Sequence, residues 1–162
     1  MQLQTSTDYA IRILHYLHEN KDEGLHTAMH IAETVGVTYP FFIKIANMLK
    51  QKGLLQSEQG RNGGYRLGKP AHEISIYDVY LCTEGELQIN PCFKKESKTC
   101  TKEHKERCKL RRFLHSLQED VLIASMSEMR ISYLVHAVED KMEKERANHF
   151  AAVSLEARSY AG

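Results

Sequence analysis

The residues of this 162-residue chain best able to do chemistry are its cysteines. Cys92, Cys100 and Cys108 are evenly spaced, with seven residues in each gap, while Cys82 stands apart. The trio lies among Lys94, Lys95, Glu96, Lys98, Lys102, Glu103 and Lys105, company that suits a solvated loop and not a core. Nearby lysines favour the thiolate, the form that binds metal or meets oxidants, so ligation of a metal or cluster ranks above a thiol redox switch. Cys82, beside Val79 on a helix, reads as a small buried hydrophobe. Three thiolates leave a tetrahedral ion or a four-iron cluster one ligand short, to be supplied by His104 within the loop or by a carboxylate or histidine from elsewhere. Zinc knuckles usually place about two to four residues between paired ligands, and the wider gaps here favour an iron–sulfur cluster over zinc.

The second chemical signal is charge. The net charge of +1 conceals totals of −3 over residues 1–35, +5 over 36–70 and −1 over 71–162. A local positive excess in a near-neutral chain implies one face that meets a polyanion. The composition, 42% hydrophobic and 27% charged, is that of a globular chain with a core. No apolar run approaches a membrane span and the start lacks a signal-peptide pattern, so the expectation is a cytoplasmic protein without a membrane partner. No C-x-x-C, nucleophile elbow or phosphate loop is present, and neither an enzyme nor a small-molecule substrate is expected.

These residues must be positioned by local structure. Ala10, Ile13, Leu14 and Leu17 mark a first helix running out near Asn20. Thr27 caps a short second helix with Ile31, Ala32 and Val35, ended by Gly36. Thr38 caps a third, with Pro40 in its first turn and Phe42, Ile45, Ala46 and Leu49 as its buried stripe, giving a helix-turn-helix. Leu54 to Glu58 and Tyr65 to Leu67 read as a hairpin about the turn Gly60-Arg61-Asn62-Gly63-Gly64. Ser75 and Asp78 have capping-box spacing at a fourth helix. Leu110, Phe113, Leu114, Leu117, Val121 and Leu122 mark a long helix whose stripe is most simply covered by a second copy of the chain. Ser125-x-x-Glu128 reads as the capping box of another helix, striped by Ile131, Leu134, Val135, Val138 and Met142.

The expected fold is mainly α: a winged helix-turn-helix over residues 1–83, a cysteine-containing loop over 84–108, dimerisation helices over 109–146 and a tail over 147–162. Thr38, Tyr39, Pro40, Phe41 and Lys44 sit at the N-terminal end of the expected recognition helix, whose side chains can reach base edges of double-stranded DNA, although the aromatic Phe41 equally suits packing. Arg61 and Asn62 at the wing tip suit phosphate or minor-groove contact, and the neighbouring glycines allow close approach. Lys50, with Lys52, Arg66 and Lys69, suits phosphates.

The opening MQLQTSTDYAIRIL, the segment GVTYPFFIKIANMLKQKGLL, the wing QGRNGGYRLGKPAHEISIYDV and the three-cysteine loop resemble the IscR, NsrR and RirA group of winged-helix transcription regulators. The resemblance implies a homodimer bound to an operator, often as a repressor, whose affinity is set by an iron–sulfur cluster sensing nitric oxide, redox state or iron status. A 4Fe-4S cluster is favoured over 2Fe-2S, but both cysteine gaps here are wider than the group commonly has, which leaves the nuclearity open. Arg111 stands where IscR-like members place a completing histidine. Asp8 matches the aspartate that in NsrR-like members completes the partner subunit's cluster, though a first-turn carboxylate is also favoured by the helix dipole alone. The alternative keeps the regulator and replaces the cluster with structural zinc or a cofactor-free thiol switch.

Overall fold

The computed structural model describes residues 3–93 and 108–134. Cys100, His104, Val135, Val138, Met142 and the tail 147–162 lie outside the described residues. Helix α1 (Thr5–Glu19) buries Thr7, Ala10, Ile13, Leu14 and Leu17 on one face. In α2 (Ala28–Val35) the Thr27 hydroxyl accepts the His30 N–H at 3.3 Å. Gly36 then turns left-handed, at φ 74° and ψ 39°, and lets Val37 N–H reach the Ala32 carbonyl at 2.8 Å. Helix α3 (Tyr39–Gln51) buries Phe42, Ile45, Ala46 and Leu49, the stripe expected of it.

Strands β1 (Leu55–Glu58) and β2 (Gly64–Leu67) pair antiparallel, from Leu55 opposite Leu67 to Glu58 opposite Gly64. Helix α4 (Ile76–Thr83) opens with a complete capping box: the Ser75 hydroxyl accepts from Asp78 N–H at 3.0 Å, and the Asp78 carboxylate accepts from Ser75 N–H at 2.9 Å. The mainly α winged helix is thus present, its core formed by α1, α2, α3, the hairpin and α4.

Beyond the cysteine segment, α5 (Lys109–Ser116) continues through a π-helical stretch, Leu117–Ile123, into α6 (Ala124–Glu128). The expectation at Ser125 needs correction. Ser125 lies inside α6, its carbonyl accepting Met129 N–H at 3.2 Å, and no helix opens there. Instead Met129 and Arg130 extend along the residues preceding α4. Met129 O accepts Ile76 N–H at 2.9 Å, and Ile131 N–H donates to Ile74 O at 3.0 Å. Two long-range backbone bonds and the burial of Ile131 outweigh a local cap worth about 1 kcal/mol. Among the described residues no helix is long and apolar enough to cross a membrane.

Candidate nucleic-acid interface and cysteine loop

The first turn of α3 projects from the domain because its inward positions are taken by Phe42 and Ile45. Thr38, Tyr39, Pro40 and Lys44 are exposed. Thr38 holds the N-cap position without a side-chain cap bond, so its hydroxyl is not committed to the helix. Phe41 is half-buried, its ring edge-on to Tyr9 at 6.0 Å. Lys44 and Phe41 line a cavity of about 420 Å³ with Leu3, Gln4, Thr5 and Ser6, which places the start of α1 beside α3.

Of the six cations in the positive segment, two have carboxylate partners: Arg66 lies 3.0 Å from Glu58, and Lys69 lies 4.0 Å from Asp78. Lys44, Lys50, Lys52 and Arg61 are exposed and form no ion pair among the described residues. Arg61 and Asn62 stand exposed at the wing tip. The neighbouring glycines answer chiefly to the chain's own backbone. A Cβ on Gly63 would fall 2.3 Å from Glu58 O, and one on Gly64 would fall 2.6 Å from His26 O. The tight wing therefore requires glycine whatever it touches.

In the cysteine segment, Cys92 lies in the helical turn Pro91–Phe93, half-buried, its N–H donating to Asn90 Oδ1 at 2.9 Å. Cys108 is the N-cap residue of α5, where the helix N-terminus favours negative charge. The Pro91–Phe93 turn packs on α5, with the Phe93 and His115 rings 5.7 Å apart, two helical turns beyond Cys108. Asp8 stands elsewhere, exposed in the first turn of α1, and accepts Arg12 Nε at 3.1 and 3.2 Å. Among the described residues no three potential ligands converge within one chain. Cys82 is half-buried against the core, and burial pushes its thiol pKa up against the opposing charge of Lys52.

Two polar clusters were not anticipated. Thr7, buried, bonds through its hydroxyl to Glu84 Oε1 and lies 2.8 Å from Thr83 Oγ1, while Gln4 N–H donates to Glu84 Oε1 at 3.0 Å. This ties the turn of α1 that carries Asp8 to the end of α4, where the cysteine segment begins. The second centres on His26, buried beneath the wing. An isolated histidine between Leu25 and Thr27 gives no local sign of such a role; the capping threonine beside it was the only readable signal.

The Rrf2 family profile, described as an iron-dependent transcriptional regulator, matches residues 3–137. The HTH-type transcriptional regulator NsrR of Shouchella clausii is 36% identical over 115 residues, covering 71% of this chain and 76% of that protein. NsrR of Halalkalibacterium halodurans is 37% identical over 100 residues, covering 62% and 68%. Among solved structures, IscR of T. potens superposes with a TM-score of 0.65 at 18% identity, covering 87% of this chain and 90% of that one. CymR, the global cysteine regulator of B. subtilis, gives 0.62 at 20% identity, covering 85% and 98%. With a helix-turn-helix, an antiparallel hairpin and a family match over residues 3–137, the chain belongs to the Rrf2 family of transcriptional regulators.

Proposed function

We propose that this regulator works as a cytoplasmic homodimer, binds a double-stranded DNA operator through the first turn of α3 and the wing, and holds an iron–sulfur cluster through Cys92, Cys100 and Cys108. Thr38, Tyr39, Pro40 and Phe41 read base edges, while Lys44, Lys50, Arg61 and Asn62 engage the backbone or minor groove. Asp8 completes the partner subunit's cluster, for which its exposure on α1 is suitable. The observation that supports the cluster reading is that the turn holding Cys92 packs on α5, the helix at whose N-cap position Cys108 stands. Thiolates near a helix N-terminus are the soft, negatively charged donors that iron–sulfur clusters take.

When bound, the cluster supplies a reactive centre for nitric oxide or oxygen and a demand for iron. The chain's own part is mechanical. Thr7 and Glu84 join the turn of α1 carrying Asp8 to the root of the cysteine segment, so a cluster held across the dimer bears on the helices that present the DNA-reading surface. Cluster loss then lowers operator affinity. Anaerobic isolation tests the assignment: the protein should be coloured and contain iron and acid-labile sulfide, and Cys92→Ala, Cys100→Ala or Cys108→Ala should each bleach it while Cys82→Ala does not. Colourless anaerobic protein with a tightly held zinc per chain would replace the cluster by a structural ion.

A further inference from the structure

A two-stranded hairpin is at best marginally stable alone, so the wing must be held from its root. The structure shows what holds it. The backbone of His26 pairs with Tyr65 on the free edge of β2, with His26 N–H to Tyr65 O at 3.1 Å and Tyr65 N–H to His26 O at 2.8 Å. His26 is in turn fixed by its ring, which lies 3.0 Å from the Asn20 carbonyl through Nε2 and 3.1 Å from the Tyr16 hydroxyl through Nδ1. A carbonyl only accepts, so Nε2 is the donor to Asn20, and in the neutral imidazole Nδ1 accepts from the Tyr16 hydroxyl. The two rings also meet edge to face at 5.2 Å. From the other side, the Phe42 ring of α3 meets Tyr65 edge-on at 5.2 Å.

We propose that His26, held by Tyr16 and Asn20, is the positioning residue of the wing: it sets the angle at which Arg61 and Asn62 meet DNA relative to the recognition helix. The inference rests on wing contact with DNA, as proposed above. Its force comes from leverage. The wing tip extends about 10 Å from the His26–Tyr65 bridge at ~3.3 Å per residue, so a tilt of about 20° displaces it by about 3 Å. That exceeds the tolerance of a hydrogen bond. The fit at the root leaves no slack, since a Cβ on Gly64 would meet His26 O at 2.6 Å and His26 C at 2.8 Å.

The test is a double-mutant cycle on DNA affinity, using the full chain and a duplex recovered by that chain from a random-sequence pool. Tyr16→Phe removes one hydroxyl and keeps the ring; His26→Ala removes the imidazole that Tyr16 and Asn20 hold and keeps the backbone bonds to Tyr65. Either should weaken binding roughly 3- to 10-fold in the wild-type background and by less than about twofold in an Arg61→Ala background, because the wing contact is then already gone. Each should also reduce the salt slope towards that of Arg61→Ala. An equal loss in both backgrounds, with an unchanged slope, would mean that His26 supports the fold only, and the inference fails while wing contact stands. If Arg61→Ala itself leaves affinity and slope unchanged, the wing is not engaged and both proposals fall. Should His26→Ala not fold, Tyr16→Phe decides alone.

Discussion

Asp8 is well placed for a clean experiment because it contributes little to the fold. Its pairing with Arg12 is an i,i+4 contact between side chains that remain 50% and 58% exposed, a class worth at most about 0.5 kcal/mol. Asp8→Asn should therefore shift Tm by no more than ~2 °C, while shortening the lifetime of the visible chromophore in air if it completes the partner's cluster. An unchanged lifetime would return Asp8 to the role of a helix-start carboxylate. Cys82 supplies the complementary case. Burial raises its thiol pKa, so less thiolate is present at neutral pH than in an ordinary cysteine. Alkylation of Cys82 by iodoacetamide should be slower than that of a free thiol, with its onset moved to higher pH; a normal rate and pH onset would contradict the burial. The exposure of Thr38, Tyr39, Pro40 and Lys44 was readable because solvent-facing positions of an amphipathic helix follow from its period. His26 was not, since its partners are brought together only by the tertiary fold.

At the scale of elements, the capping box of α4 should be worth measuring, because Ser75 sits where two parts of the chain meet. Its side chain caps α4, and its backbone faces Arg130 in an isolated bridge. Ser75→Ala removes the cap alone and should cost about 1 kcal/mol, or ~3 °C in Tm, by calorimetry. Helices α1 to α4 were legible to within a residue or two from their apolar period, reinforced at α2 by Thr27 before it and Gly36 after it and at α4 by the Ser75–Asp78 box. Ser125 misled because capping-box spacing also arises by chance inside a helix. Where Met129 and Arg130 leave the helix is decided by backbone bonds to Ile74 and Ile76, which no local pattern encodes. The π-helical stretch Leu117–Ile123 had no readable signal either, since the apolar stripe there continues without interruption.

At the scale of the molecule, α5 and the π-helical stretch present Leu110, Phe113 and Val121 at 62%, 66% and 50% exposure, with Leu117 beside them at 36%. A row of large apolar residues on one helix is the surface a second subunit would cover. Phe113→Asp should convert the proposed dimer to monomer in sedimentation and, because each monomer can engage only one half-site, weaken operator binding more than any single phosphate contact does. A variant that stays dimeric with unchanged DNA affinity would move the interface elsewhere.

The return of Ile131 to the core has a consequence for the order of events during synthesis. Ile131 is fully buried, in a turn packed on α1 and on the Ala71–Glu73 turn, yet it follows the cysteine segment and the whole exposed stripe along the chain. A nascent chain that has emerged only as far as Thr83 carries the recognition helix and the wing but lacks the last piece of the core beneath them. The missing side chain and its backbone bonds correspond to a deficit of about 2–5 kcal/mol, a large share of a domain's marginal stability. The winged-helix unit thus matures only after the cysteines and the exposed apolar stripe have been made. A premature fragment ending at Phe93 should be loosely folded, and supplying residues 108–134 as a separate peptide should tighten it, measured as a rise in amide protection on α1 and α4.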